Sequence, residues 1–143
     1  MSAPKAVVSL VTLGVTDLAR SIAFYERLGF RRRAASADGV GFFEAGAVAL
    51  AVYPAADLAN DAGLETGRAT SAVSLAWNCA SPDAVDTALA LAAEAGAAIH
   101  KRGHTVSWGG YIGYFADPDG HLWEVAYNPG FPLGNDGRLT LPD

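Results

Sequence analysis

Among the residues able to do chemistry, Glu124 stands out by its surroundings. It sits in "YFADPDGHLWEV", Tyr114–Val125, inside what reads as an apolar β-strand. An unpaired carboxylate is costly to bury there, so Glu124 needs a metal, a cation or a hydrogen-bond donor. Held in an apolar cup it would also suit a general base, taking a proton next to a carbonyl. Three histidines are available to join it. His121 is out of phase with Glu124 in a strand of period two, and His100 ends a predicted strand as an exposed cap. His104 lies in "KRGHTVSWGG", which reads as a loop able to fold over a pocket mouth. Cys79 is the only cysteine, which leaves neither a disulfide framework nor a cysteine-based zinc site.

The elements that must position Glu124 come in two matching halves. In the first, the β-branched stretch Val7–Val15 is followed by Thr16 as a helix N-cap and by Asp17 in the first turn. Leu18, Ile22, Tyr25 and Leu28 then fall on one helical face, and Gly29 closes the helix. In the second half, a strand over Ala72–Cys79 precedes Ser81 as N-cap and Pro82 at the first helical position. Val85, Ala88, Leu89 and Ala92 supply the apolar face, and Gly96 ends it. Short strands follow each helix: Phe30–Ala34, Gly39–Glu44 and Ala47–Tyr53, then Ala97–Lys101, Gly110–Ala116 and His121–Tyr127. Each half is a β-α-β-β-β unit. The chain therefore reads as one α+β domain over 1–143, with module 1 at about 6–54 and module 2 at about 71–128. Residues 55–70 join the modules, with a helical turn at Ala55–Ala59, and an irregular tail covers 129–143.

If Asp117–Gly120 is a four-residue turn, Gly113 lies opposite Glu124 and Tyr111 opposite Ala126. Tyr111, Gly113, Phe115, Leu122, Glu124 and Ala126 then share one face. Ile112, Tyr114, Trp123, Val125 and Tyr127 form the other, against the helix. Ser74, Ala76 and Asn78 join Glu124's side from their own strand, as do Leu10, Thr12 and Gly14 from the first strand. The predicted ligand wall is Leu10, Thr12, Leu50, Ser74, Asn78, Tyr111 and Glu124, apolar with a few polar points. Trp108, next to two glycines, is a lid over the mouth, an interface anchor or a buried loop anchor. Tyr111 offers its hydroxyl to ligand or to backbone.

Bulk composition narrows the partners. Of 143 residues, 51% are hydrophobic and 17% charged, as in a folded globular chain. A net charge of −5 argues against nucleic acid or an anionic membrane surface. The N-terminus shows neither a signal-peptide pattern nor a span able to cross a bilayer, so a cytoplasmic location is expected.

"VTLGVTDLARSIAFYERLGF" and "GYFADPDGHLWEVAYNPG" resemble the opening strand–helix and closing hairpin of the vicinal oxygen chelate superfamily. That group includes glyoxalase I, bleomycin-resistance proteins, fosfomycin-resistance enzymes and extradiol dioxygenases. The resemblance runs from Val7 to Tyr127. It implies two modules forming a curved mixed-sheet cup with helices outside, and a homodimer. It also implies, in metal-dependent members, four ligands on the concave face. Carried over by position these fall on Leu10, Leu50, Ser74 and Glu124, of which the two leucines cannot bind a metal and Ser74 is a poor ligand. No cofactor is therefore expected, and a divalent-metal site rebuilt around His104 is the exception to that reading.

Three functions follow. The first is a protein that binds a small organic molecule in the cup, with a degenerate metal site. The second is a lyase, isomerase or dioxygenase-like enzyme using Glu124 as general base or as part of a rebuilt metal site. In the third the cup is vestigial and the chain is a structural dimer.

Overall fold

The computed structural model describes residue 8 and residues 10–62 and 73–142. Parts of the predicted opening strand (Val7, Ser9), of the second opening strand (Ala72) and of the join (63–70) lie outside the described residues. Within them, both β-α-β-β-β units form. The first comprises β1 (Leu10–Val15), α1 (Leu18–Leu28), β2 (Arg32–Arg33), β3 (Gly41–Ala45) and β4 (Val48–Pro54). The helix α2 (Ala55–Ala62) extends the single predicted turn to eight residues. The second unit comprises β5 (Ser74–Asn78), α3 (Pro82–Ala95), β6 (Ala98–Thr105), β7 (Tyr111–Ala116) and β8 (Leu122–Tyr127). Each unit builds a four-stranded mixed sheet, in the orders β1-β4-β3-β2 and β5-β8-β7-β6. In each, the first strand runs parallel to the last, and the α-helix makes the crossover between unit start and sheet.

Helix ends follow local chemistry. Ser81 caps α3 by accepting from the Ala84 N–H, with Pro82 at its start, and Gly29 and Gly96 end α1 and α3 in the left-handed conformation. The N-cap of α1 is Asp17 rather than Thr16: its side chain accepts from the Arg20 N–H at 3.0 Å. Thr16 is drawn away because both its N–H and its hydroxyl donate to Asp119 of the β7–β8 turn.

Each sheet carries its helix on one face, and the two helix-bearing faces meet in a single core. Leu13, Val15, Leu50 and Val52 enter it from the first sheet, and Phe115, Trp123 and Val125 from the second. Tyr25 of α1 is fully buried between them, 5.9 Å from the Phe43 ring and 6.1 Å from Trp123. The other faces of the two sheets consequently turn away from each other.

Candidate functional site

Glu124 lies mid-way along β8. Across the sheet its neighbours are Ala76 on β5 and Tyr114 on β7, with Lys101 of β6 beyond Tyr114. Partners in a ladder project to the same side, so Glu124 shares the helix-free face with Ser74, Ala76, Asn78, Leu122, Ala126, Ile112 and Tyr114. The Tyr114 hydroxyl donates to Glu124 Oε2 at 2.8 Å. Hydrogen bonding to this carboxylate is the main cause that raises the Tyr114 hydroxyl above the ordinary tyrosine pKa. Of the partners that Glu124 required, the structure supplies the donor, a neutral hydroxyl from the neighbouring strand.

The hairpin register differs by one residue from the sequence expectation. The loop holds five residues, Asp117–His121, so Ala116 faces Leu122 and Gly113 faces Val125. Asp117 causes this: its Oδ1 accepts from the N–H groups of Asp119 and His121, which keeps His121 in the loop. A one-residue slip turns every side chain of β7 over. Gly113 therefore packs towards α3, where an added Cβ would lie 2.5 Å from a Leu89 methyl and 2.8 Å from the Lys101 carbonyl oxygen. Phe115 enters the core. Tyr111 also leaves the ligand wall and donates to Asp86 of α3 at 2.8 Å, a bond that raises its own pKa. Tyr114, placed by the sequence reading against the helix, takes the position beside Glu124.

The remaining candidates divide. Ser74 and Asn78 share Glu124's face, as the alternation of β5 requires. Thr12 lies in the other sheet, paired with Ala51, and its face points away from Glu124's within one chain. Trp108, 54% exposed, occupies the tip of a tight β6–β7 hairpin closed by Val106 N–H to the Gly110 carbonyl, and is not a buried anchor within this chain. His104 belongs to β6 rather than to a loop. It stands opposite Ile112, its Nδ1 donates to the Arg102 carbonyl, and β7 lies between it and β8, about 10 Å away.

The turn after β7 has a second task that the sequence did not reveal. Asp117 Oδ2 accepts from the buried Tyr25 hydroxyl at 2.7 Å, and that hydroxyl accepts from Trp123 Nε1 at 3.2 Å. Burial, then the Asp117 charge, push the Tyr25 hydroxyl far above its ordinary pKa. Asp119 accepts from Thr16, from the Ser21 hydroxyl at 3.0 Å and from Arg20. Burial by itself would raise the Asp119 pKa, but these donors together hold it below the usual carboxylate value. His121 Nε2 donates to the Gly14 carbonyl of β1 at 2.7 Å. "DPDGH" is thus the clasp that ties the second module to the first.

The four positions carried over from metal-dependent relatives need one correction. Leu50 is 2% exposed and projects into the core beside Val52, so the position on β4 equivalent to Glu124 is Ala51, which pairs with Thr12 as Glu124 pairs with Ala76. Leu50 and Glu124 each precede a tyrosine, Tyr53 and Tyr127, by the same spacing, yet the two ladders set them one residue out of step. The set Leu10, Ala51, Ser74 and Glu124 offers two hydrocarbons, one hydroxyl and one carboxylate already engaged by Tyr114, and it does not fit a transition-metal ion. Among the described residues, no three His, Cys, Asp or Glu side chains lie close enough together to hold one.

Comparison with known proteins agrees with this architecture. The family described as Glyoxalase/Bleomycin resistance protein/Dioxygenase superfamily matches residues 7–125. The chain belongs to that superfamily. A solved member, a glyoxalase-related enzyme from Fulvimarina pelagi, is 31% identical over 96% of this chain and 99% of its own, with a TM-score of 0.87. A glyoxalase/bleomycin resistance protein/dioxygenase from Nocardioides is 25% identical over 93% of each chain, with a TM-score of 0.72. Lactoylglutathione lyase from Agrobacterium tumefaciens shares the fold at 18% identity, covering 88% of this chain and 96% of its own, with a TM-score of 0.66. No curated protein matches the chain. None of the helices among the described residues is long and apolar enough to cross a membrane.

Proposed function

We propose that this superfamily member binds a small organic molecule on the Glu124 face of its second sheet, without a metal at the carried-over positions. The observation that carries this reading is the 2.8 Å bond from Tyr114 to Glu124 Oε2. It fixes one carboxylate oxygen and leaves Oε1 to accept from a donor on the ligand. Ala76 and Ala126 flank the carboxylate with methyl groups, leaving room, and Ser74 and Asn78 add polar points along β5. The reading includes a cytoplasmic homodimer. Support for the pairing comes from Leu10, 44% exposed, and Val73, 64% exposed, which place apolar surface at the outer strands β1 and β5. A second copy would bring a Thr12 face to Glu124's face and close the cup.

A second reading, metal-independent lyase or isomerase chemistry, draws support from the name of the Fulvimarina pelagi relative as a glyoxalase-related enzyme. There Glu124 takes a proton from carbon next to a carbonyl, and Tyr114 orients the carboxylate. Thermal-shift screening of a small-molecule library tests the binding reading, with each hit repeated by calorimetry on Glu124→Gln and Tyr114→Phe. Hits that both variants lose support it. Hits indifferent to both variants, or stoichiometric transition metal in purified protein that Glu124→Gln removes, overturn it.

A further inference from the structure

On the side of β5 opposite Glu124, the two modules leave a crevice of about 380 Å³. Its walls come from both: Val11, Leu28, Phe30 and Leu50 from the first, Leu75, Trp77 and Trp123 from the second. The Phe30 ring stands 6.3 Å from Trp77 and 5.7 Å from Trp123. The crevice is open to solvent, and a guest that displaced water from its apolar lining would gain contacts there. The lip is polar. Asn78 borders it at the end of the outer strand β5, and Glu44 and Asp136 stand there with their carboxylates paired to Arg33 and Arg138. Neutralised carboxylates leave the lip with no net call for an ion. Asn78, in contrast, offers an amide that both donates and accepts.

We infer that this crevice is a binding site for an uncharged planar aromatic molecule bearing one hydroxyl or amide, laid against the half-buried rings of Phe30 and Trp77 rather than between them. The volume falls in the range of small-ligand pockets and suits a bicyclic ring system. Edge and offset contacts with these aromatic side chains favour a flat guest over a branched aliphatic one. The rim hydroxyl or amide pairs with Asn78 at the lip. Leu75 and Trp77 project from β5 to the side that Glu124 does not share, while Ala76 and Asn78 of this outer strand border both the crevice and the Glu124 face.

2-Naphthol is the probe. The protein has three tryptophans, so three indole N–H signals report in a ¹H–¹⁵N spectrum, with Trp108→Phe assigning the exposed one. Saturable shifts of the Trp77 and Trp123 signals, with Trp108 unmoved, are expected. Leu75→Trp, which fills the crevice, is expected to weaken binding about tenfold or more, and Asn78→Ala gives a milder loss without adding bulk. Glu124→Gln, by contrast, should leave 2-naphthol binding unchanged, whether or not the Glu124 face binds anything. Shifts confined to Trp108, no saturation, or loss of binding in Glu124→Gln would overturn the assignment. If Leu75→Trp does not fold, the wild-type pattern of shifts and the Glu124→Gln affinity decide between these outcomes.

Discussion

Tyr114 and Glu124 act as one unit, and their substitutions should show it. Tyr114→Phe frees the carboxylate and leaves the backbone untouched, so ligand affinity on that face should fall by about 1–2 kcal/mol in calorimetry. Glu124→Gln should cost a similar amount, and the double variant less than the sum of the two. Tyr111→Phe is the contrasting case. Its hydroxyl is on the helix side and exposed, bonded to Asp86, so the variant should bind and melt close to wild type. Glu124's need for a donor was legible in the sequence, because an acid in an apolar strand has few solutions. The donor's name was not. It depended on whether the loop held four or five residues, and so on Asp117 capping two N–H groups, which a turn motif alone does not count. Leu50 was misplaced for a related reason: resemblance of letters around Tyr53 and Tyr127 outweighed the alternation that puts Ala51 on Glu124's level.

At the scale of elements, helix ends and alternation were readable because each rests on a few neighbouring residues. Ser81, Pro82 and Gly96 bound α3, and Leu75 and Trp77 pack inwards as their spacing requires. Docking of the β7–β8 turn onto α1 was not readable, since its partners are far apart in the chain. Tyr25→Phe should test it. Asp117 Oδ2 would lose its donor and Trp123 Nε1 its acceptor, at a cost of about 1–3 kcal/mol, seen as a lower urea midpoint with an unchanged slope. Acid should loosen the same clasp. The native fold holds Asp119 below its unfolded pKa, so its contribution is complete above the ordinary aspartate value of ~3.9 and disappears as pH falls through the lower native one. Urea midpoints measured from pH 6 downwards should therefore fall more steeply for wild type than for Asp119→Asn. Gly113→Ala should be destabilising by about 1–3 kcal/mol, because Leu89 and the Lys101 carbonyl leave no space for a methyl group.

For the whole molecule, the back-to-back arrangement separates what the sequence reading had placed in one cup. Thr12 and Glu124 belong to faces that diverge within a chain, so a complete cup requires a second copy. Sedimentation velocity should then give twice the 14.8 kDa chain mass, and Leu10→Asp at the β1 edge should shift the equilibrium towards monomer. A monomeric wild type at micromolar concentration would remove that requirement. The buried position of Tyr25 also carries a consequence for synthesis. Its partners lie 92 and 98 residues downstream, and Thr16 reaches 103 residues to Asp119. When α1 leaves the ribosome, the surface that will cover it has not been made, and at ~5–20 residues per second it is several seconds away. Through that interval Phe24, Tyr25 and Leu28 form an uncovered apolar stripe on the nascent chain. The first module can collapse early, but only the arrival of the last hairpin completes it, so the fold closes through contacts of long sequence separation, which are slow to form.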